Sequence, residues 1–414
     1  MRKRIENIGQ LWGIGQPASG RLSGAEMQAF SSIENAWLLI ESDRIVSYGS
    51  MKAPDDSAVD EVFDAAGEWV FPAFCDSHTH LVHAASRDQE LLMKLQGLDY
   101  ETIAARGGGI LNSAKRLAEM SEDELFQLSL SRLGAMAAMG VGAVEIKSGY
   151  GLDPQNELKM LRVVARLKQA SPVLIKATFL ALHALPLEFK GRKQAFVDLM
   201  VKEVLPQVAQ QGLADFVDVF CERNYFDLDD MRLLLTEANR LGLPAKVHVN
   251  QFSSFGAVKT AVELGAISVD HLEVMEGSDF EAIKNANTMA TVLPGCSLYL
   301  GIPFAPARQL VDAGVALAVA SDFNPGSAPS FNPELNLSLA VLKSRLLPEE
   351  AWNALTINGA AAMQLEQEVG SIWPQKKANL LFTRALPSLT YMPYAFGERK
   401  IKAVWLNGMP YSAL

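Results

Sequence analysis

Between residues 69 and 321 the chain alternates short, continuous apolar runs with longer stretches of helical periodicity. The runs fall at 69–75, 141–147, 174–182, 215–221, 245–249, 267–271, 289–293 and 315–321, and most contain β-branched residues. A run that is apolar at nearly every position marks a strand buried on both faces. The stretches between them, among them Gln155–Gln169, Leu187–Gln210, Leu228–Leu241 and Ser254–Leu264, read as amphipathic helices. Asp227 and Ser253 stand where N-caps are expected, and Gly242 and Gly265 where helices stop. Eight such units predict a TIM-type (β/α)8 barrel, with its chemistry at the C-terminal ends of the strands.

The two ends of the chain have a different pattern. Ala36–Ile40 and Arg44–Tyr48 flank the turn Glu41-Ser42-Asp43, and Asn379–Thr383 and Ile401–Leu406 are strands followed by the tight-turn pair Asn407-Gly408. Neither end is large enough to fold alone. Residues 1–66 and 366–414 are therefore expected to form one small β-sandwich domain, with 67–365 as the barrel.

Composition narrows the function classes. The 414 residues are 49% hydrophobic and 20% charged, as in an ordinary soluble protein, and no apolar run is long enough for a membrane span. A cytoplasmic location is expected, since no signal-peptide core follows the basic start Met1-Arg2-Lys3-Arg4. The net charge of −10 argues against nucleic acid. An anionic substrate would need a local cationic pocket. Cys75, Cys221 and Cys296 are odd in number and far apart, which predicts buried thiols and no disulfide framework.

The candidate chemistry sits at the strand ends. The first run leads into Asp76-Ser77-His78-Thr79-His80, and residues two apart on a strand point to the same side. His78 and His80 thus aim two imidazoles at one point. The chain has only six histidines, and His248 and His271 also stand at strand ends, with Asp322 after the eighth run. Three His and one Asp suit zinc, with iron as the alternative. His78, His80, His248 and Asp322 are the expected ligands. His271 either adds a fifth ligand or stands beside the attacking water and polarises a carbonyl. Asp322 would also accept the water's proton, so His271 and Asp322 are the expected catalytic pair. The fourth run ends Asp218-Val219-Phe220-Cys221-Glu222 and offers no lysine for a carbamate bridge between two metals, so one metal is expected.

Several longer strings carry a family likeness: His78-Thr79-His80-Leu81-Val82, Ala85-Ser86-Arg87, Gly107-Gly108-Gly109-Ile110, Glu145-Ile146-Lys147-Ser148-Gly149-Tyr150-Gly151-Leu152, Ser268-Val269-Asp270-His271-Leu272-Glu273 and Ala320-Ser321-Asp322-Phe323-Asn324-Pro325-Gly326-Ser327. With these the chain resembles the imidazolonepropionase family of the amidohydrolase superfamily over most of its length. The resemblance implies hydrolysis of the ring of 4-imidazolone-5-propanoate to N-formimidoyl-L-glutamate, in histidine degradation. It further implies that Arg87, Tyr150, His183, Gln251, Asn324, Gly326 and Ser327 bind the substrate, and it suggests a homodimer. Arg is suited to grip a propanoate through two points.

The nearest rival is a single-metal nucleobase or aminoheterocycle deaminase of the same superfamily. Such enzymes carry a proton-shuttling glutamate three residues after the strand 5 histidine. Here that position is Gln251, whose amide cannot shuttle a proton. There are departures from the family pattern: Asn250 replaces an acidic residue, His83 stands where a small or aromatic residue is usual, Ala73 where the family has glycine, and Asn379 replaces an aspartate. His83 is read as a pocket-rim residue or a stray ligand. The long connection 76–140, with Gly107-Gly108-Gly109 at its tip, is expected to be a mobile cover.

Overall fold

The computed structural model describes residues 1–53, 58–98, 108–284 and 286–412. Eight parallel strands form the barrel: β1 (Phe74–Asp76), β2 (Val141–Lys147), β3 (Leu174–Leu182), β4 (Phe216–Cys221), β5 (Lys246–Val249), β6 (Ser268–His271), β7 (Met289–Val292) and β8 (Leu317–Val319). Each pairs with its neighbour in chain order, and every residue of β2 and β4–β8 is buried. Helices Pro154–Ala170 and Leu228–Arg240 cover the outside as their periodicity predicts. The side chain of Asp227 accepts from the N–H groups of Asp229 and Asp230, as an N-cap should.

Strands β1 and β8 are too short to close the barrel themselves. The seam is made by the residues beyond their ends. The Asp322 N–H donates to the His78 carbonyl at 3.0 Å and the His80 N–H to the Phe323 carbonyl at 2.8 Å. The backbone that closes the barrel is thus the backbone that carries three candidate ligands.

The expected strand 69–75 is two strands. Trp69–Pro72 pairs antiparallel with Leu380–Thr383 and parallel with Arg2–Ile14, in the terminal sheet. At Ala73 the chain changes partners: its N–H donates to the Asn379 carbonyl, whereas the next N–H, of Phe74, donates to Gly140 beside the barrel. The terminal sheet therefore reaches Pro72, and the barrel begins at Phe74. From Val70 to Asp76 every residue is buried, so hydrophobicity alone carries no sign of the switch.

Among the described residues the terminal sheet has eight strands, from Ser31–Glu41 and Arg44–Ser50 at one end to Ile401–Leu406 and Met409–Pro410 at the other. Its two arms share one core, in which Ile5, Leu38 and Ile45 pack with Leu380, Phe382 and Trp405. Asn407 and Gly408 both have positive φ, 53° and 72°, as the tight turn demands.

Other expectations need correction. The helix expected over 187–210 is broken into Leu187–Phe189, Lys193–Leu199, a π turn at Met200–Val204 and Leu205–Gln210. Pro206 has no N–H to donate back to Lys202, so the ladder widens there. Ser253 is not an N-cap. Its hydroxyl donates to Glu222, and Gly256 (φ 91°) precedes helix Ala257–Glu263. Gly107 lies outside the described residues. Gly108 and Gly109 open the helix Gly109–Glu119 rather than forming a loop tip. Cys75, Cys221 and Cys296 are free and buried. Among the described residues no helix is long and apolar enough to cross a membrane.

An aromatic stack ties the sheet to the barrel. Trp352, on helix Pro348–Leu355, is fully buried and stacks on Phe71 (4.5 Å between centroids), Phe74 (5.1 Å) and Phe30 (5.7 Å), and Phe30 stacks on Trp12 (5.8 Å). Trp352→Ala should destabilise the protein by about 3–5 kcal/mol, the usual cost of deleting a buried indole. Denaturant unfolding should show this as a lower midpoint. An unchanged midpoint would mean the stack does not join the two units.

Candidate active site

The strand ends bring the expected side chains together. The ligand atoms of His78, His80 and Asp322 lie within 4.8 Å of one another, as do those of His78, His248 and His271. His78 belongs to both groups. The Nε2 atoms of His78 and His80 are each 3.5 Å from Asp322 Oδ1. All five residues are buried. The Nε2 atoms of His78 and His248 have no hydrogen-bond partner within the protein. Leaving two buried imidazole nitrogens unsatisfied is costly, and a divalent cation between them would satisfy both. The donor set therefore fits a metal.

The far sides of these rings are anchored. His78 Nδ1 is 2.7 Å from Asp270 Oδ2, and His248 Nδ1 is 2.9 Å from Asp218 Oδ2. The Asp270 bond fixes the His78 tautomer and turns its Nε2 toward the centre, whereas Asp218 holds His248 by charge and by accepting its backbone N–H at 3.2 Å. Burial holds His78, His80 and His248 well below the usual imidazole pKa, with the Lys147 charge adding to the effect. They are neutral, the form that ligates metal.

Asp218 and Asp270 are in turn held by Lys147, at 2.7 Å and 3.6 Å. Lys147 also meets Glu145 at 2.7 Å, and Glu145 pairs with Lys246, which donates to the Ser77 carbonyl at 2.7 Å. The group thus has two ammonium ions, Lys147 and Lys246, and three carboxylates, Glu145, Asp218 and Asp270. Burial opposes the Lys147 charge, but its carboxylate partners outweigh it and raise its pKa. Burial pushes Asp218 up to about 6 against the pull of Lys147. In Asp270 the two ammonium ions outweigh burial and lower the pKa.

On the other side, His271 Nδ1 lies 3.4 Å from Glu273, which also accepts from the Ser297 hydroxyl at 3.1 Å. Burial disfavours the imidazolium, but the Glu273 charge prevails and raises the pKa of His271. Burial pushes Asp322 up to about 6, while His271 draws it down. Backbone strain gathers here: φ is positive at His271 (90°), Leu272 (68°) and Asp322 (54°).

A cavity of about 410 Å³ opens above these groups. Its walls include all seven residues expected to bind substrate: Arg87, Tyr150, His183, Gln251, Asn324, Gly326 and Ser327. The His183 Nδ1–H donates to the Gly149 carbonyl at 2.8 Å, and its ring stacks on His80. Burial lowers the His183 pKa to about 4 and raises that of the Tyr150 hydroxyl, so both are neutral hydrogen-bonding groups. Gln251 Nε2 lies 3.5 Å from Cys296 Sγ. Asn324 spends its side chain on its own loop. Its Oδ1 accepts from the Gly326 and Ser327 N–H groups, both at 2.8 Å, and its Nδ2 donates to the Asp322 carbonyl at 2.7 Å.

Two open residues are resolved by their surroundings. His83 is not on the cavity wall. Its Nδ1 bonds the His80 carbonyl at 2.9 Å and its ring packs on Phe323, so it supports the His80 loop. Asn250 donates to the Val274 carbonyl and to Asp279, both at 2.9 Å, and ties the loop after β5 to the loop and helix Gly277–Ile283 that follow β6. Sequence reasoning gave no roles to the anchors Asp218, Asp270, Lys147, Glu145 and Lys246, to Glu273, or to the aromatic wall of Phe220, Tyr225 and Phe252. A signal existed. Glu145, Lys147, Asp218, Lys246 and Asp270 are charges inside strands that are otherwise apolar, and buried charges are rare unless paired.

The sequence pattern of the amidohydrolase family matches residues 69–410, and the chain belongs to that family. Solved structures share the fold across nearly the whole chain. A triazine hydrolase from Arthrobacter aurescens has a TM-score of 0.75 at 15% identity, covering 99% of this chain and 94% of its own. The Escherichia coli guanine deaminase has a TM-score of 0.71 at 14% identity, covering 100% of both chains. Within the family the chain is a member of the imidazolonepropionase group. It is 50% identical to the imidazolonepropionase of Christiangramia forsetii over 404 residues, 98% of both chains. It is 47% identical to that of Flavobacterium johnsoniae, again over 98% of both, and 40% identical to that of Bacillus cereus, over 97% of this chain and 95% of the relative.

Asp218→Asn and Asp270→Asn should each weaken metal affinity by about 10- to 100-fold, the scale on which the partners of metal ligands act. Competition with a chromophoric chelator measures this. Wild-type affinity in both variants would show that the two carboxylates do not orient His248 and His78.

Proposed function

We propose that this protein hydrolyses 4-imidazolone-5-propanoate to N-formimidoyl-L-glutamate, a step of histidine degradation. The observation that carries the reading is a single cavity with a hydrolytic His/Asp centre at its floor and the Arg87 guanidinium in its wall. A small planar ring with a short carboxylate arm is complementary to that arrangement.

His78, His80, His248 and Asp322 would hold one divalent metal. Zinc is favoured by the three nitrogens and one oxygen, with ferrous or ferric iron as the alternative. Such an ion supplies Lewis acidity, polarising the ring carbonyl and making hydroxide available from water near neutral pH. The protein's own groups do the rest. Asp322 accepts the proton of the attacking water. The new C–O bond forms at the ring carbonyl carbon, and the bond from that carbon to the amidine nitrogen breaks. Asp322 returns the proton to the departing nitrogen. His271, oriented by Glu273 at 3.4 Å, stabilises charge developing on the carbonyl oxygen. Arg87 takes the propanoate, with Tyr150, His183 and Gln251 as neutral partners for the ring. The cytoplasm, where three free buried thiols stay reduced, suits this activity.

The direct test is an ultraviolet assay on freshly made imidazolone propanoate. The metal-loaded protein should open the ring and release N-formimidoyl-glutamate; an intact ring would refute the reading. His271→Asn should keep its metal and lose about a hundredfold or more in kcat. Loss of metal in this variant would instead make His271 a ligand.

Arg87→Ala should lower kcat/KM tens- to thousands-fold, from the about 2–5 kcal/mol lost when one side of a desolvated charge pair is removed. Arg87→Lys should recover only part, since a point charge does not replace a planar fork. An unchanged kcat/KM in Arg87→Ala would remove the carboxylate clamp.

A further inference from the structure

We propose that Glu90 is a positioning residue that aims Arg87 at the substrate carboxylate, and that position 326 is glycine because the aimed guanidinium passes where a side chain would stand. This rests on the reading that Arg87 binds the propanoate.

Glu90 sits on the short helix Asp88–Leu95 and is buried. It meets Arg87 side-on, with Nε donating to Oε1 at 2.7 Å and Nη2 to Oε2 at 2.5 Å. Two parallel bonds to a planar group fix its orientation as well as its position. An exposed pair at this spacing contributes little. Here the two side chains are only 17% and 10% exposed, so the geometry is held. Glu90 is itself held from a second element. Its Oε1 accepts from the Gly109 N–H at 2.7 Å, at the start of helix Gly109–Glu119. The Gly108 N-cap has no side chain to do this. The partial positive charge of that helix end also favours the Glu90 carboxylate.

The far end of the guanidinium is fixed by shape. A Cβ on Gly326 would lie 2.3 Å from Arg87 Nη1. The Gly326 backbone cannot retreat easily, because its N–H and that of Ser327 are both bonded to Asn324 Oδ1. Arg87 is therefore bracketed, with Glu90 on its Nε/Nη2 edge and Gly326 at Nη1. Arg87 and Gly326 both lie on the cavity wall, and Glu90 does not. Glu90 is therefore a buttress behind the binding group. Arg87 and Glu90 stand three apart in the sequence, and it is the close approach of Arg87 to Gly326 that joins the segment after β1 to the loop after β8.

The test compares Glu90→Gln and Gly326→Ala on two substrates: imidazolone propanoate and 5-propyl-imidazolone, in which a methyl group replaces the carboxylate. Each variant should raise KM for imidazolone propanoate about tenfold to hundredfold, with kcat changed less than about threefold, as expected for a displaced binding group. Metal content should stay at the wild-type value, Glu90→Gln should keep kcat/KM on 5-propyl-imidazolone within about twofold of wild type, and Gly326→Ala should lose several-fold more on imidazolone propanoate than on 5-propyl-imidazolone. Equal losses on both rings, or a wild-type KM for imidazolone propanoate in both variants, would overturn the proposal. Gly326→Ala keeps the test decisive should Glu90→Gln fail to fold. Arg87→Ala separates the two levels. If it leaves KM unchanged, the propanoate reading fails and the proposal with it. If it raises KM while the other two variants do not, only the positioning role fails.

Discussion

The arrangement of this site depends on one buried ammonium ion. Lys147 lies beneath the candidate metal ligands and holds Asp218 and Asp270, which in turn fix His248 and His78. Without that charge, two carboxylates would share an apolar barrel interior with little to balance them. With it, both remain acceptors, Asp270 for the His78 ring and Asp218 for the His248 backbone N–H, and His78 and His248 stand side by side in the site. Lys246 extends the network by pairing with Glu145 and donating to the Ser77 carbonyl beside His78. The cluster carries two positive and three negative groups. Its residual charge is negative, which favours a cation directly above it.

The same region closes the barrel. Because β1 and β8 end early, the seam bonds come from His78, His80, Asp322 and Phe323. Loss of register at the seam would therefore displace ligands, and a bound metal would in turn pin the seam. This couples folding to metal binding more closely than a site on free loops would. The strained residues His271, Leu272 and Asp322 lie at the same place, held by the surrounding hydrogen bonds and packing.

Much of this was legible in the sequence because the chemistry is repetitive. His78, His248, His271 and Asp322 all follow buried apolar runs, and a barrel places such residues on one face. The residues expected to bind substrate came from the family resemblance, and the structure gathers them on the wall of one cavity. What stayed hidden were pairings between distant strands. Nothing local says that Lys147 on β2 reaches Asp218 on β4 and Asp270 on β6, since strand pairing alone sets that distance. The switch at Ala73 was hidden for a similar reason, because a buried residue reads the same in either sheet. The π turn at Met200–Val204 was hinted at only by Pro206, within an otherwise helical pattern. Ser253 shows the opposite error: a good capping residue was taken up by Glu222, a tertiary partner that outcompetes the local role.

The central claim is that one cation is held by His78, His80, His248 and Asp322, with His271 beside it. The most direct measurement is metal analysis of the purified protein together with anomalous diffraction from its crystals. The account predicts one metal per chain, with ligand distances of about 2.0–2.2 Å to the three Nε2 atoms and to the Asp322 carboxylate. Two metals per chain would contradict it. So would a single ion held instead by His271, Glu273 and Cys296, whose ligand atoms also lie within 4.8 Å of one another.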